Sequence, residues 1–302
     1  MAEGEHLMKR RPASRPERRA TPAVANAKPH DAVRQPTTAD RHPGDDGSGD
    51  GPVILLSSAY SGAQRVQDLL AAGTGLACTT GTGIIPLCLA AAETWRRVEG
   101  RQGPAMSQLA AASVRRLISA QVTTMLAGAG KKRWCELAMA DQSAAQQFLQ
   151  LVPNAVFICV HRGCLDVIRA GVAASPWGLH GPRLVPYLLS YPGNSVAALA
   201  AYWTTCTEEL LAFEQANPQI IRRVRYEDTT GEPGETLATL RTWLRLHGDR
   251  GITFPKRIDH TEPGDATLPS PESEVPVEMI PPPLRQRVSY LHAELGYPPL
   301  PG

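Results

Sequence analysis

The residues best suited to chemistry fall at four places. The first is Ser57-Ser58-Ala59-Tyr60-Ser61-Gly62-Ala63-Gln64, a small-residue loop after the apolar run Val53–Leu56, with an amphipathic pattern starting at Gly62. That is the layout of a phosphate-binding turn, in which free N–H groups and the positive end of a helix face an anion. The second is His161-Arg162, at the end of the apolar run Ala155–Val160. A guanidinium fork there suits a phosphate, and a histidine suits proton transfer near neutral pH. The bland readings are an Arg162 paired with Asp166 and a His161 that merely lines a strand end. The third is His180, in Ser175-Pro176-Trp177-Gly178-Leu179-His180-Gly181, which reads as a cover over an acceptor pocket or as a surface turn. The fourth is Arg225-Tyr226-Glu227-Asp228, which reads as fold-holding.

Other chemistries are disfavoured. Ala59 and Ala63 occupy the glycine positions of a Gly-x-Ser-x-Gly elbow, so Ser61 is a weak hydrolase nucleophile. No Gly-Lys-Ser/Thr occurs, and Gly73-Thr74-Gly75 and Gly81-Thr82-Gly83 lack the order of a dinucleotide fingerprint. The six cysteines form no Cys-x-x-Cys pair and no zinc-ligand cluster, so no metal is expected. A net charge of +2 and 5% aromatic residues give no basis for nucleic-acid binding. No apolar run has the length of a membrane span, and no secretion signal is visible, which predicts a cytoplasmic protein with reduced thiols.

These residues need a scaffold. Residues 1–51 mix basic residues with Pro, Asp and Gly, and read as a disordered leader before a single domain over 52–302. Within it, Val53–Leu56, Arg133–Leu137, Ala155–Val160 and Ile220–Tyr226 read as strands. Gly62–Ala72, Ile84–Val98, Met106–Leu126, Ser143–Leu151, Cys164–Ala173, Ser195–Ala216, Glu235–Leu246 and Leu284–Leu295 read as helices. Gly128–Lys132 reads as a loop, and residues 259–285 as an extended one. The alternation predicts an α/β fold, a three-layer parallel sheet with helices on both faces, and ligands at the carboxyl ends of its strands.

Four segments in this order resemble the sulfotransferase family, whose members move a sulfonyl group from phosphoadenylyl sulfate (PAPS) to an acceptor. Ser57–Leu70 is similar to the family's 5′-phosphosulfate loop, and Val156–Ala170 to its strand, Arg, Asp-Val and helix that bind the 3′-phosphate. Ala201–Trp203 lies in the long helix that follows. Val224–Asp228 matches a strand end of Arg-Tyr-Glu-Asp type, and Trp134-Cys135-Glu136 resembles a Trp-x-Asp-Lys-Ser strand. The resemblance implies a P-loop-like sulfotransferase fold. It implies a donor site built from Ser61, Gly62, Ala63, Gln64, Arg65, Arg162 and Ala170, with Tyr60 at the position of the usual catalytic cation and no metal; His161 and His180 are the candidate bases from their own chemistry. It also implies PAPS as co-substrate and a small-molecule hydroxyl as acceptor, in the manner of secondary metabolism.

The chain departs from the family's pattern at specific places. Tyr60 stands where Lys or Arg is usual, Ala63 and Gln64 where Thr-Thr is usual, Leu137 where Lys occurs, and Ala170 where a phosphate-binding Ser is usual. No late Arg-Lys-Gly or Gly-Arg-Gly segment is found, and Lys256-Arg257 is the only basic pair nearby. Hydrogen bonds to charged groups contribute about 1.5–3 kcal/mol each. Three or four losses would therefore cost roughly 5–10 kcal/mol if additive. Arg65, Arg169, Lys131, Lys132 and Arg133 are the candidate compensating cations. The alternative function is a sulfotransferase-fold protein that has lost PAPS use and catalyses a cyclisation or elimination, or acts as a binding or partner subunit.

Overall fold

A computed structural model describes residues 51–102, 104–139, 142–174, 179, 183–231, 233–246 and 275–301. The leader at 1–50, the loop residues Trp177 and His180, and most of the loop at 259–285 lie outside the described residues.

Five strands form one parallel sheet: β1 (Val53–Ser57), β2 (Leu76–Thr80), β3 (Arg133–Met139), β4 (Val156–His161) and β5 (Ile221–Arg225), in spatial order β2-β3-β1-β4-β5. β1 lies in the centre, with Val53 opposite Cys135 of β3 and Val156 of β4. After β1 the chain builds the β3 side, then crosses to β4. The switch point therefore lies between β1 and β4, where ligands bind in open α/β sheets. β1 and β4 are short apolar runs buried on both faces, as central parallel strands require, whereas the edge strands β2 and β5 expose polar residues such as Thr80, Arg222 and Arg223.

The ten helices among the described residues are α1 (Ala63–Gly73), α2 (Ile84–Gln102), α3 (Pro104–Ala129), α4 (Gln142–Leu151), α5 (Cys164–Ala174), α6 (Val185–Ser190), α7 (Ser195–Ala216), α8 (Tyr226–Gly231), α9 (Pro233–Trp243) and α10 (Pro282–Leu295). They divide by sheet face. Val53, Leu55, Leu76, Cys135, Ile158 and Val224 point toward Val66 and Leu70 of α1 and Leu237 and Leu240 of α9. Ile54, Leu56, Trp134, Phe157 and Cys159 point the other way, toward α4, α5, α7 and α10. Period-2 alternation along each strand thus feeds two cores, giving the expected three layers.

α7 is apolar around most of its circumference because it packs between the sheet and α5, α6 and α10. The Asn194 side chain caps its start by accepting from the Ala197 N–H at 2.9 Å. Phe213 meets Phe157 edge-on with centroids 5.0 Å apart.

Three elements differ from expectation. β2 is an unexpected fifth strand. Gly73-Thr74-Gly75 and Gly81-Thr82-Gly83 do punctuate loops, and the five residues left between them pair with β3 at the sheet edge. Tyr226 begins α8 rather than ending β5, so the Arg-Tyr-Glu-Asp motif bends from strand into helix. α6 is a single short turn of helix after Leu184, with Pro in its first turn. Gly51, placed in the leader by composition, is buried, and its carbonyl accepts from Arg133 Nε at 2.6 Å.

Candidate active site

The loop after β1 has a defined backbone shape. Tyr60 and Gly62 both adopt left-handed conformations, with φ of 64° and 71°. The Ala59 N–H donates to the Tyr202 hydroxyl at 2.9 Å, so α7 holds the start of the loop. The Ser61 hydroxyl donates to the Ser58 carbonyl at 2.8 Å, and the Ser58 hydroxyl lies 2.5 Å from Ser61 Oγ. Both serines are buried, and their hydroxyls are spent on each other and on the loop. α1 begins directly after Gly62 with no side-chain cap and no acidic residue in its first turn. Its orphan N–H groups and positive dipole end are therefore not countered by the chain.

Arg162 follows β4 and reaches back to this loop. Its Nη1 donates to the Tyr60 carbonyl at 3.0 Å, and its guanidinium carbon lies 4.3 Å from the Tyr226 ring centroid. Its own carbonyl accepts from the Trp203 indole N–H at 2.9 Å. Only 8% of Arg162 is exposed, and its Nε is buried without a partner. An unpaired donor on a buried cation is costly, and an anion at this point would satisfy it. Arg162 is not paired with Asp166, whose carboxylate binds Arg169 instead.

The remaining candidates are placed as follows. Gly62 is roofed by Tyr226: a Cβ there would come within 2.3 Å of Tyr226 Cε2. Ala63 is buried in the core beneath the sheet. Gln64 is exposed and bonds to Gln67, Asp68 and Thr80. Arg65 donates from Nε to the Thr229 carbonyl at 3.2 Å, bracing α1 against α8 rather than facing the loop. Ala170 is half-buried on α5, next to Gly171, where a Cβ would sit 3.1 Å from the Tyr60 ring. Tyr60 therefore lies against α5 with its backbone carbonyl, not its ring, on Arg162.

His161 is a correction. Its side chain is almost wholly buried, and Nε2 lies 2.7 Å from Glu214 Oε1. Glu214 Oε2 accepts from Arg223 Nε and Nη2 at 2.7 and 2.5 Å. Burial works to raise the Glu214 pKa, but hydrogen bonds from His161 and Arg223 outweigh it and hold the carboxyl below its ordinary value. His161 belongs to a hydrogen-bonded chain joining β4, α7 and β5, with its Nε2 engaged by Glu214. Lys131, Lys132 and Arg133 are a second correction. They lie at the amino end of β3, opposite the loop, and Arg133 is spent on the carbonyls of Gly51 and Leu244. Leu137, on β3, is partly buried and packs against the α1 and α9 core.

Tyr202, not singled out from the sequence, and Tyr226 and Glu227, read there as fold-holding, shape the site. Tyr202 holds the loop, Tyr226 roofs it and stacks under Arg162, and Glu227 ties its surroundings. Glu227 accepts from the Gly163 N–H at 3.1 Å and from the Tyr297 hydroxyl at 3.0 Å. His292 completes this corner. Its Nδ1–H donates to the Pro298 carbonyl at 2.7 Å, which leaves Nε2 to accept from the Cys164 N–H at 3.2 Å. The start of α5 is thus countered by side chains, whereas the start of α1 is not. A separate open cleft of about 490 Å³ beside edge strand β5 is lined by Arg222, Asp228, Glu235 and Thr236. It collects mixed charges, and its Arg222 is exposed to solvent, so the strand-end loop with the buried Arg162 is the better candidate.

The comparisons agree with this geometry. A family model described as "Sulfotransferase family" matches residues 52–249. The chain belongs to the sulfotransferase family. Among solved structures, a sulfotransferase domain from the curacin biosynthetic pathway aligns over 83% of this chain and 99% of its own, with TM-score 0.55 and 15% identity. A sulfotransferase from Alicyclobacillus acidocaldarius aligns over 82% and 96%, with TM-score 0.47 and 9% identity. A mouse sulfotransferase complexed with PAP aligns over 81% and 83%, with TM-score 0.42 and 10% identity. At 15% identity the likeness to the curacin-pathway domain concerns the fold. A comparison with curated protein sequences gives no significant match.

The residues present fit a PAPS-type donor in part. The uncapped start of α1 and the unpartnered Nε of Arg162 fit two anionic groups. The side chains at Tyr60, Ala63, Leu137 and Ala170 add no positive charge. Among the described residues, no helix is long and apolar enough to cross a membrane.

Proposed function

We propose that the chain is a transferase that holds PAPS between the Ser57–Gln64 loop and Arg162 and passes its sulfonyl group to a hydroxyl of a small molecule. One observation carries the reading: a buried arginine with an unpartnered Nε, hydrogen-bonded to a left-handed loop at an uncapped helix start, at the sheet's switch point. PAPS supplies an activated sulfonyl group and a phosphate leaving group. The chain's part is to bind and orient. The N–H groups of Ser61, Gly62 and Ala63 can face one anionic group, and Arg162 another. Tyr226 and Tyr202 fix the shape that presents them.

Loss of one electrostatic stabiliser typically lowers rate about 10²–10³-fold. With Tyr60 in the cation's place, the reading implies slow transfer. The test is calorimetric titration with adenosine 3′,5′-bisphosphate. Micromolar binding that disappears in Arg162→Ala supports the proposal; silence at millimolar ligand ends it.

A second reading is favoured by a specific observation: Arg65 and Arg169, two of the candidate compensating cations, are each bonded to the chain's own oxygens. The fold would then serve another reaction or a binding role without PAPS. Under it, wild type does not bind the nucleotide, and Tyr60→Lys with Ala63→Thr creates affinity.

A further inference from the structure

We propose that Cys78 and Cys135 form a reactive cross-strand dithiol, a modification site that closes to a disulfide under hydroperoxide. This is independent of how the strand-end loop is used.

The two residues are direct register partners on the neighbouring parallel strands β2 and β3. Paired strands lie about 4.8 Å apart, within the range of roughly 4.4–6.8 Å between Cα atoms that disulfides span. Both side chains point to the same sheet face, where Cys135 is a core residue and Cys78 packs at its margin. Register pairing and a shared sheet face bring the two thiols together, and the neighbouring Cys78 helps to hold the Cys135 pKa above its ordinary value.

Access selects the reacting group. All six cysteines lie among the described residues, and five are buried: Cys88, Cys135, Cys159, Cys164 and Cys206. Cys78 alone is partly exposed, on the edge strand of the sheet. Burial pushes the Cys88 thiol up to about 11 and raises those of Cys159 and Cys164 as well, which keeps them protonated and unreactive. Cys135 is also raised, chiefly by the neighbouring Cys78, so it suits the resolving role rather than the first attack.

The chemistry balances in two steps. The Cys78 thiolate attacks the hydroperoxide oxygen, giving a sulfenic acid and releasing water, or an alcohol from an organic peroxide. The Cys135 sulfur then attacks the Cys78 sulfur; the S–S bond forms and the sulfenic oxygen leaves as water. Two thiols are oxidised by two electrons, and the peroxide O–O bond is reduced. The link staples edge strand β2 to β3. β2 is otherwise held on one side only, and it carries Thr79 and Thr80, which bond to Glu136 and Gln67.

The test uses the full chain, reduced and then exposed to a small excess of hydrogen peroxide. Free thiols should fall by two from the six of the reduced chain. Non-reducing peptide mapping should find one link, Cys78 to Cys135. The thermal midpoint should rise, on the order of 5 °C, and return with dithiothreitol. Cys78→Ala should abolish the link with folding intact, since its side chain is partly exposed. Cys135→Ala, should it fold, should leave a Cys78 sulfenic acid trappable by dimedone. Six surviving thiols, a link between two chains, a different pair, or direct passage of Cys78 to sulfinic acid in the wild type would each overturn the proposal.

Discussion

Arg162 and the residues touching it define what single substitutions can reveal. Tyr202→Phe leaves the Ala59 N–H without its partner. The bond is part-buried, so its loss is worth about 0.5–1.5 kcal/mol, and urea denaturation should show a decrease of that size. The Tm increase produced by added sulfate should shrink in the same variant, because the loop no longer keeps its shape; an unchanged sulfate effect would separate Tyr202 from the anion site. Gly62→Ala puts a Cβ on Tyr226 at a φ of 71°. Left-handed backbone and overpacking together cost on the order of 2–4 kcal/mol. Tyr226→Leu in the same chain should recover the overpacking part, as a double-mutant cycle in thermal denaturation would show. At this scale the sequence was only half legible. The Ser-Gly and Arg-x-x-x-Asp spacings mark the loop and Arg162, but Tyr202 lies some 140 residues from the N–H it holds. Only packing brings such a pair together. His161 misleads for the same reason: its partner Glu214 is on another element.

Elements determine how stability responds to pH. His292 on α10 is buried, which pulls its pKa below the ordinary 6.5, although the Pro298 bond and the nearby Glu227 and Asp166 carboxylates act the other way. A depressed folded value means the unfolded chain takes up the proton first. The stabilisation is therefore complete above pH 6.5 and is lost as pH falls below it toward the folded value. Glu214 adds a second stage. Its folded pKa is held below 4.5, so its stabilisation persists above that value and is lost as pH falls through the depressed one. Urea midpoints measured from pH 8 to pH 3 should decline in two stages. His292→Gln should remove the first stage while lowering the plateau; a first stage that persists would assign it to another group. Glu214→Ala leaves the buried His161 ring without its partner, whereas the more exposed Arg223 can turn to water, so the loss should be about 1–3 kcal/mol. Strong periodicity made β1, β4, α5 and α7 readable in advance. β2 escaped because five residues between glycine-rich turns carry too little period to mark a strand.

The whole molecule depends on its C-terminal helix. α10 buries Leu284, Val288, Leu291 and Leu295 against the core shared with α7. Each such side chain contributes about 1.5–3 kcal/mol, and the four together roughly 6–12 kcal/mol. That is comparable with the entire stability of a typical domain, about 5–15 kcal/mol. A chain ending at Pro281 should therefore lose its cooperative thermal transition. If it melted with the full-length midpoint, α10 would be an accessory rather than part of the fold.

The sequence by itself determined the architecture, because burial and periodicity are local and repeat along the chain. Apolar strands alternating with amphipathic helices admit few solutions besides a parallel three-layer sheet. It also determined which cations are missing, since a side chain absent from the loop is visible without a structure. Tertiary structure decided which of the remaining groups meet. It engaged His161 with Glu214, placed Lys131, Lys132 and Arg133 at the amino end of β3, and brought Tyr202 and Tyr226 to the loop. It left Arg162 with an unpaired Nε and set Cys78 beside Cys135. Such pairings depend on strand order and helix crossing, and neither is written in any single stretch of residues.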